Sequence, residues 1–232
     1  MSERWSMTRN APITTGQKRH APDDEAVAAK RAKTNEKQQQ KKIDAFYQKY
    51  ANEPKDTLPG RIGPHGVKRL CRDLKVQPTD LCMLVLAWKL EATVSCEFMY
   101  AEWSAGMKKI DCTGIRALTK WCSTADLALA NPADFKKLYD FTFNYAKPLG
   151  QRSLPIELAI ACWRLLYRGN ADVEQWITYL GTTTKLGITS DEWTSFYDFH
   201  STVNINNYDA AGAFPIIIDD YVEWRLNQMR ME

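Results

Sequence analysis

The chain has no long apolar run, and that absence excludes the first class of functions. Its longest, "LCMLVLAW" at 81–88, falls well short of the roughly 20 residues needed to cross a bilayer and suits a buried helix segment. The N-terminus shows no signal-peptide core, and Ser2 stands where N-myristoylation requires glycine, so the expectation is a soluble, intracellular protein without membrane association. Six cysteines occur without a C-x-x-C pair, and the three histidines are scattered, which argues against structural zinc. Motifs for phosphate cradles, dinucleotide sites, zinc hydrolases and nucleophile elbows are all missing. His200 near Asp198 has no nucleophile beside it, and Glu97 next to Cys96 would raise that thiol's pKa rather than activate it. No cofactor and no catalytic residue are expected. With 44% hydrophobic and 11% aromatic residues over 232 positions, the composition is that of a binding protein with a full core.

Cations are missing from one region. Residues 1–42 hold ten Lys or Arg against five acids, while the remainder holds 21 against 23. From Leu186 to Trp224 there is no Lys or Arg, yet Asp191, Glu192, Asp198, Asp209, Asp219, Asp220 and Glu223 all fall there. Acids in a helix's first turn are stabilised by its dipole, which accounts for Asp191 and Glu192 singly and, through a D-x-x-E pattern, for Asp220 with Glu223. It does not account for the missing cations. An acidic face with an apolar floor at Ala213, Phe214 and Ile216 to Ile218 suits a basic partner carried on hydrophobic stock.

Residues 1–35 read as a disordered basic tail, and residues 36–232 as the folded domain. Lys18 and Arg19 are separated by ten residues from Lys30, Arg31 and Lys33, a spacing that suits a bipartite nuclear-import signal laid out on an acidic groove. A solvated charged tail is the alternative, and the tail has few aromatics for stacking bases, so no nucleic-acid partner is expected. In the folded part the period is helical. Pro78, Asn131 with Pro132, Pro155, and Thr189 with Glu192 mark helix starts, while Gly150, Gly169 and Gly187 mark stops. Strand alternation is absent, so the fold class is all-α.

Two connections have the outline of a calcium-binding hand. With Phe98 as the apolar eighth loop position, Glu91 is first, Glu102 twelfth, and Cys96 takes the sixth place, where glycine is needed. With Ile62 eighth, Gly60 is sixth, but Lys55 and Gly66 take the first and twelfth places. The ligand count is too low for calcium.

"LVLAWKLEA", "EFMYAEWSAGM", "FKKLYDFTFNYAK", "IELAIACW" and "NNYDAAGAFPIIIDDYVEW" together resemble the potentiating-neddylation (PONY) domain of the defective-in-cullin-neddylation family, over about residues 42–226. The resemblance implies an all-helical domain with degenerate EF-hand-like helix–loop–helix units. It implies a scaffold-type co-ligase that binds a cullin's C-terminal winged-helix domain together with the neddylation E2, with a cullin-associated RING protein as a further partner. The family's cullin-binding acid–alanine–acid patch falls on Asp191, Ala213 and Asp219. Its pocket for the E2's N-acetylated methionine falls on Val67, Met83, Leu84, Leu86, Leu90, Cys96, Phe98, Tyr145 and Leu165. Ser95 stands where some members carry glutamine, and Cys162 where an aromatic is found. The basic tail without a ubiquitin-binding module resembles the nuclear subgroup, which implies a nuclear protein with the cytoplasm as a second location; nothing in the sequence suggests more than a monomer. A binder that restrains cullin modification without stimulating it is the alternative function.

Overall fold

The computed structural model describes residues 22–231 apart from 210, 211 and 213. Helix α1 spans Pro22–Ala51, so residues 22–35, expected to lack regular structure, are helical. The expectation rested on the absence of an apolar stripe. Ala, Lys, Arg, Gln and Glu are the strongest helix formers, and a run of them holds a helix by propensity alone. Residues 1–39 and 40–232 form two compact units.

In residues 40–232 the chain folds as two helix–loop–helix pairs. The first pair comprises the end of α1, β1 (Arg61–Ile62), α2 (Pro64–Leu74), α3 (Leu81–Lys89), β2 (Phe98–Met99) and α4 (Tyr100–Lys109). Two short helices follow, α5 (Ile115–Cys122) and α6 (Leu127–Ala130). The second pair comprises α7 (Pro132–Ala146), β3 (Leu154–Pro155), α8 (Ile156–Tyr167), α9 (Ala171–Leu180), β4 (Gly187–Ile188) and α10 (Ser190–Thr202). A 3-10 turn at Ile205–Asn207 leads to α11 (Ile216–Met231). The four strands among the described residues are two residues each and pair antiparallel, β1 with β2 and β3 with β4, so the fold is all-α as expected.

The loop geometry carries the outline of the calcium hand without its ligands. Ile62 lies opposite Phe98, the two residues assigned to the eighth loop positions. Both sixth positions adopt the left-handed conformation, φ 78° at Gly60 and φ 60° at Cys96. A side chain there costs about 1–2 kcal/mol, so the rest of the loop has to hold Cys96 in place. Glu102 at the twelfth position accepts from the Thr93 backbone N–H at 3.0 Å and the Thr93 hydroxyl at 2.7 Å through one oxygen, and from the Met99 N–H at 2.9 Å through the other. The second pair repeats the plan, with Leu154 opposite Ile188. There the twelfth-position Glu192 meets the Lys185 ammonium at 2.7 Å, so a cationic side chain stands against the carboxylate from the fifth place of the same loop.

Sequence punctuation holds at most helix starts. The Asn131 side chain accepts from the Asp134 N–H, and Thr189 with Glu192 forms the capping box. Three assignments need correction. Pro78 lies outside α3, whose cap position is Asp80, and the Asp80 carboxylate accepts from the Gln77 N–H instead. Gly187 is not a helix stop but a strand residue, where a Cβ would come within 3.0 Å of the Leu154 carbonyl. Asp220 and Glu223 are not a cap pair. Pro215 starts the turn earlier, with the Ile218 N–H bonding its carbonyl at 2.8 Å, so α11 is under way by Ile216.

Each pair is filled by aromatics. Trp103 is wholly buried and packs edge-on to Phe46 at 5.1 Å, with Phe98 at 5.9 Å. Trp163 stacks on Trp193 at 4.9 Å, and Tyr139 on Trp193 at 4.5 Å. Tyr139 ties three helices: its hydroxyl donates to the Trp193 carbonyl at 2.8 Å and accepts from the Trp163 indole N–H at 3.0 Å. In return, the Trp193 indole donates to the Tyr139 carbonyl at 3.1 Å.

Candidate cullin and E2 docking sites

The wall of the apolar pocket is built from both helix pairs. α2 and α3 of the first contribute Val67, Met83 and Leu84, and the loop before β2 contributes Ser95 and Cys96 with Phe98 after them. α7 and α8 contribute Thr142, Tyr145, Ala146, Leu158, Ala161, Cys162 and Leu165, and Pro78, Thr79 and Asp80 close one side. These side chains surround a cavity of about 350 Å³. Seven of the nine sequence-derived positions line it: Val67, Met83, Leu84, Cys96, Phe98, Tyr145 and Leu165. Leu86 and Leu90 do not. They are 0% and 3% exposed and belong to the core beneath, because on a helix buried all round no sequence period separates a pocket wall from its foundation.

The two positions that depart from the family pattern, Ser95 and Cys162, both line this cavity. Cys162 is a small apolar filler whose thiol burial pushes up to about 12, so it stays protonated and unreactive. Thr142 is wholly buried, and its hydroxyl donates to the Leu138 carbonyl at 2.7 Å. Polar character gathers at Tyr145, whose hydroxyl accepts from the Cys96 backbone N–H at 3.2 Å. Burial pushes that phenol up to about 12 and keeps it neutral. The result is a mostly apolar socket with a few polar groups at one side, suited to a hydrophobic side chain followed by a peptide amide.

The acidic face stands on other elements. Asp191 lies exposed in the first turn of α10, directly before the capping-box residue Glu192. Burial works against the charge of Glu192, but the Lys185 ammonium and the Thr189 donors outweigh it and hold its pKa below the usual carboxylate range. Asp219 lies in the first turn of α11 and accepts a short hydrogen bond from the Tyr208 hydroxyl. Burial and that carboxylate together raise the Tyr208 pKa, so the phenol remains a donor that fixes the Asp219 rotamer. Phe199 packs against Tyr221, and His200 and Val203 then share a cavity with Arg225 and Met229. Ala213 lies outside the described residues. The role of Tyr208 was missed in the sequence; an aromatic eleven residues before an acid carries no local signal.

A family model described as "Cullin binding" matches residues 117–224, which include Asp191 and Asp219. Defective in cullin neddylation protein 1 of Caenorhabditis elegans is 34% identical, over 78% of this chain and 70% of its own length. The chain belongs to the defective-in-cullin-neddylation family. Other family members are similar to the same extent: DCN1-like protein 3 of Xenopus laevis is 34% identical over 82% of this chain and 64% of its own length. DCN1-like protein 3 of Homo sapiens is 30% identical over 91% of this chain and 71% of its own length. Across these family members the match spans between 64% and 71% of the relatives' own lengths.

The basic residues assigned to nuclear import divide. Lys18 and Arg19 lie outside the described residues, while Lys30, Arg31 and Lys33 are exposed on α1.

Proposed function

We propose that this protein is a noncatalytic scaffold for cullin neddylation: it binds a cullin's C-terminal domain through Asp191, Ala213 and Asp219, and the N-acetylated terminus of the E2 in the apolar pocket. The observation that carries the reading is the pocket itself. Seven residues assigned by family resemblance, scattered from Val67 to Leu165 in sequence, converge on one cavity of about 350 Å³ with an apolar floor. Such a socket fits a methionine side chain, and burying it is worth roughly 1.5–3 kcal/mol. It disfavours a free ammonium, which would lose its hydration, so acetylation of the incoming terminus is what makes burial inexpensive.

The chain's contribution is positional. Holding the E2 and the cullin on one body converts a bimolecular transfer into an effectively intramolecular one. No side chain needs to enter the chemistry, and the exposed Cys96 serves as pocket wall. Nuclear import through the clusters at Lys18–Arg19 and Lys30–Arg31–Lys33 belongs to the same proposal; the second cluster would have to leave its helix to lie extended in a receptor groove.

The test is the rate of cullin modification with limiting, modifier-loaded E2. Asp191→Asn with Asp219→Asn removes two charges while leaving Tyr208 an acceptor; it should weaken cullin binding about tenfold or more, increasingly at low salt. Ala161→Phe, at an exposed α8 position on the pocket wall, should spare cullin binding and abolish stimulation by an acetylated E2. Cullin binding by the wild type with no change, or a fall, in rate would replace the scaffold reading with that of a restraining binder. An Ala161→Phe variant that stimulates fully would remove the pocket from the mechanism.

A further inference from the structure

Helix α1 carries a cationic face that neither docking site uses. Between residues 30 and 42 the chain places Lys30, Arg31, Lys33, Lys37, Lys41 and Lys42 against a single acid, Glu36. Residues 26–38 are exposed throughout, so this stretch of helix buries no side against its own chain. Among the described residues none of these cations is in an ion pair. Lys49, near the end of the same helix, differs: it meets Asp73 at 2.6 Å.

Helix formation is what gathers the charges. At 3.6 residues per turn, Lys30, Lys33 and Lys37 fall within roughly 60° of one another on the helix surface. Arg31 stands about 160° around the axis from Lys33, so the two flank the stripe on opposite sides, while Glu36 lies about 120° from Lys30 and off the stripe. Thr34 shares the cationic side and turns its hydroxyl back to the Lys30 carbonyl at 2.8 Å, which leaves the lysines to define the face. Ala28, Ala29 and Ala32 make up the back. An extended chain would send the same residues in alternating directions, and no stripe would exist.

We infer that this face of α1 docks on double-stranded nucleic acid through its phosphates, without reading base sequence. Charge complementarity calls for a polyanion, and the rest of the helix decides which kind. A membrane-surface helix needs a large apolar face, but the bulkiest apolar residue between Ala26 and Lys42 is Val27. A single strand needs aromatic side chains on which to stack its bases, and residues 26–42 have none. That shortage, which argued against a nucleic-acid partner, does not apply to a duplex: its bases are already stacked, and it presents phosphates alone. A duplex carries one negative charge per about 1.7 Å of axis, so lysines spread over about 10 Å of helix meet phosphates in any register. Its major groove admits an α-helix with a phosphate strand on either side, which suits cations on both flanks and small residues behind. The inference is independent of the cullin and E2 reading, because it rests on other residues.

The test is fluorescence anisotropy of a labelled mixed-sequence duplex of about 20 base pairs, titrated with the full-length chain between about 50 and 200 mM salt. Contacts from Lys30, Arg31, Lys33 and Lys37 should give a slope of log K against log salt of roughly −3.6, a fall in affinity of about a hundredfold over that range. Lys30→Gln with Lys33→Gln and Lys37→Gln keeps good helix formers and should flatten the slope by roughly 2.7. Thr34→Pro keeps every cation but breaks the helix among them, and should weaken binding about tenfold or more. An unchanged slope in the triple variant would place the contact elsewhere, and full binding by Thr34→Pro would reduce it to the net charge of a tail; either result refutes the inference. Tighter binding to a single strand of equal length, to phosphatidylserine vesicles or to polyglutamate would assign the face to another partner and refute it as well. All these substitutions lie outside residues 40–232, so cullin binding by each variant serves as the folding control. A chain that binds duplex as expected and no cullin would count against the scaffold reading alone.

Discussion

Tyr139→Phe removes a single oxygen, and the structure sets what it should cost. Tyr139 is wholly buried and strongly disfavours ionisation through that burial, so it acts as a neutral donor and acceptor throughout the accessible pH range. Its two partners lose unequally. The Trp193 carbonyl lies inside α10, where the amide four residues on still donates to it, so losing the phenol costs it an ordinary hydrogen bond of about 0.5–1.5 kcal/mol. Among the described residues the Trp163 indole N–H has only the Tyr139 oxygen, and it is left buried without an acceptor, at a cost of about 1–3 kcal/mol. Together these give roughly 2–4 kcal/mol, read as a fall in the urea midpoint at constant m-value. Repeating the substitution in a Trp163→Phe background isolates the indole's share, because no donor is then orphaned. The second cost should be only about 1 kcal/mol. Equal costs in both backgrounds would refute the unequal division. A loss below about 0.5 kcal/mol in the wild type would refute the whole argument, and would place Trp163 beside Trp103 and Trp176, whose buried indoles lack partners among the described residues. The outcome bears on function as well, since Trp193 stands two residues after Asp191 in the turn that presents it.

Two further outcomes follow from the loops. Lys185→Met leaves Glu192 partly buried without its cation, and should cost about 1 kcal/mol at neutral pH. The folded pKa of Glu192 lies below its unfolded value, so its contribution is present above the unfolded pKa near 4.5 and is lost as pH falls through the folded one. The variant's stability should accordingly depend less on pH below about 5 than the wild type's, and an identical acid profile would show that Lys185 does not hold that charge. Gly66→Ala would place a Cβ 2.4 Å from the Tyr50 backbone carbonyl, where neither α1 nor α2 can yield cheaply. The expected destabilisation is about 2 kcal/mol or more by thermal unfolding, and a neutral result would mean that the two helices slide apart freely.

Much of the fold could be read locally. The capping box at Thr189 and Glu192 and the Asn131–Pro132 start are patterns completed within four residues, and each forms as read. The eighth-position assignments of Ile62 and Phe98 were legible because a loop of fixed length has fixed positions. Errors arose where a local pattern competed with context. The D-x-x-E at Asp220 lost to the proline that begins α11 five residues earlier, and Gly187 was recruited to a strand by a partner more than thirty residues away. The N-terminal helix was missed because apolar periodicity was the signal sought, and a helix of good formers has none.

For the sites, the sequence by itself determined which chemistry was present: an acidic stretch free of cations, a Met- and Leu-rich helix, and the family motifs that name their positions. Only the tertiary structure decided which of those residues meet. It separated Leu86 and Leu90 from the seven that face the cavity, joined Tyr208 to Asp219, and stood Lys185 against Glu192. The reason is the reach of the forces. Propensity and capping act over a turn or two of chain, whereas burial and long-range hydrogen bonds depend on helix packing that brings distant positions to one place.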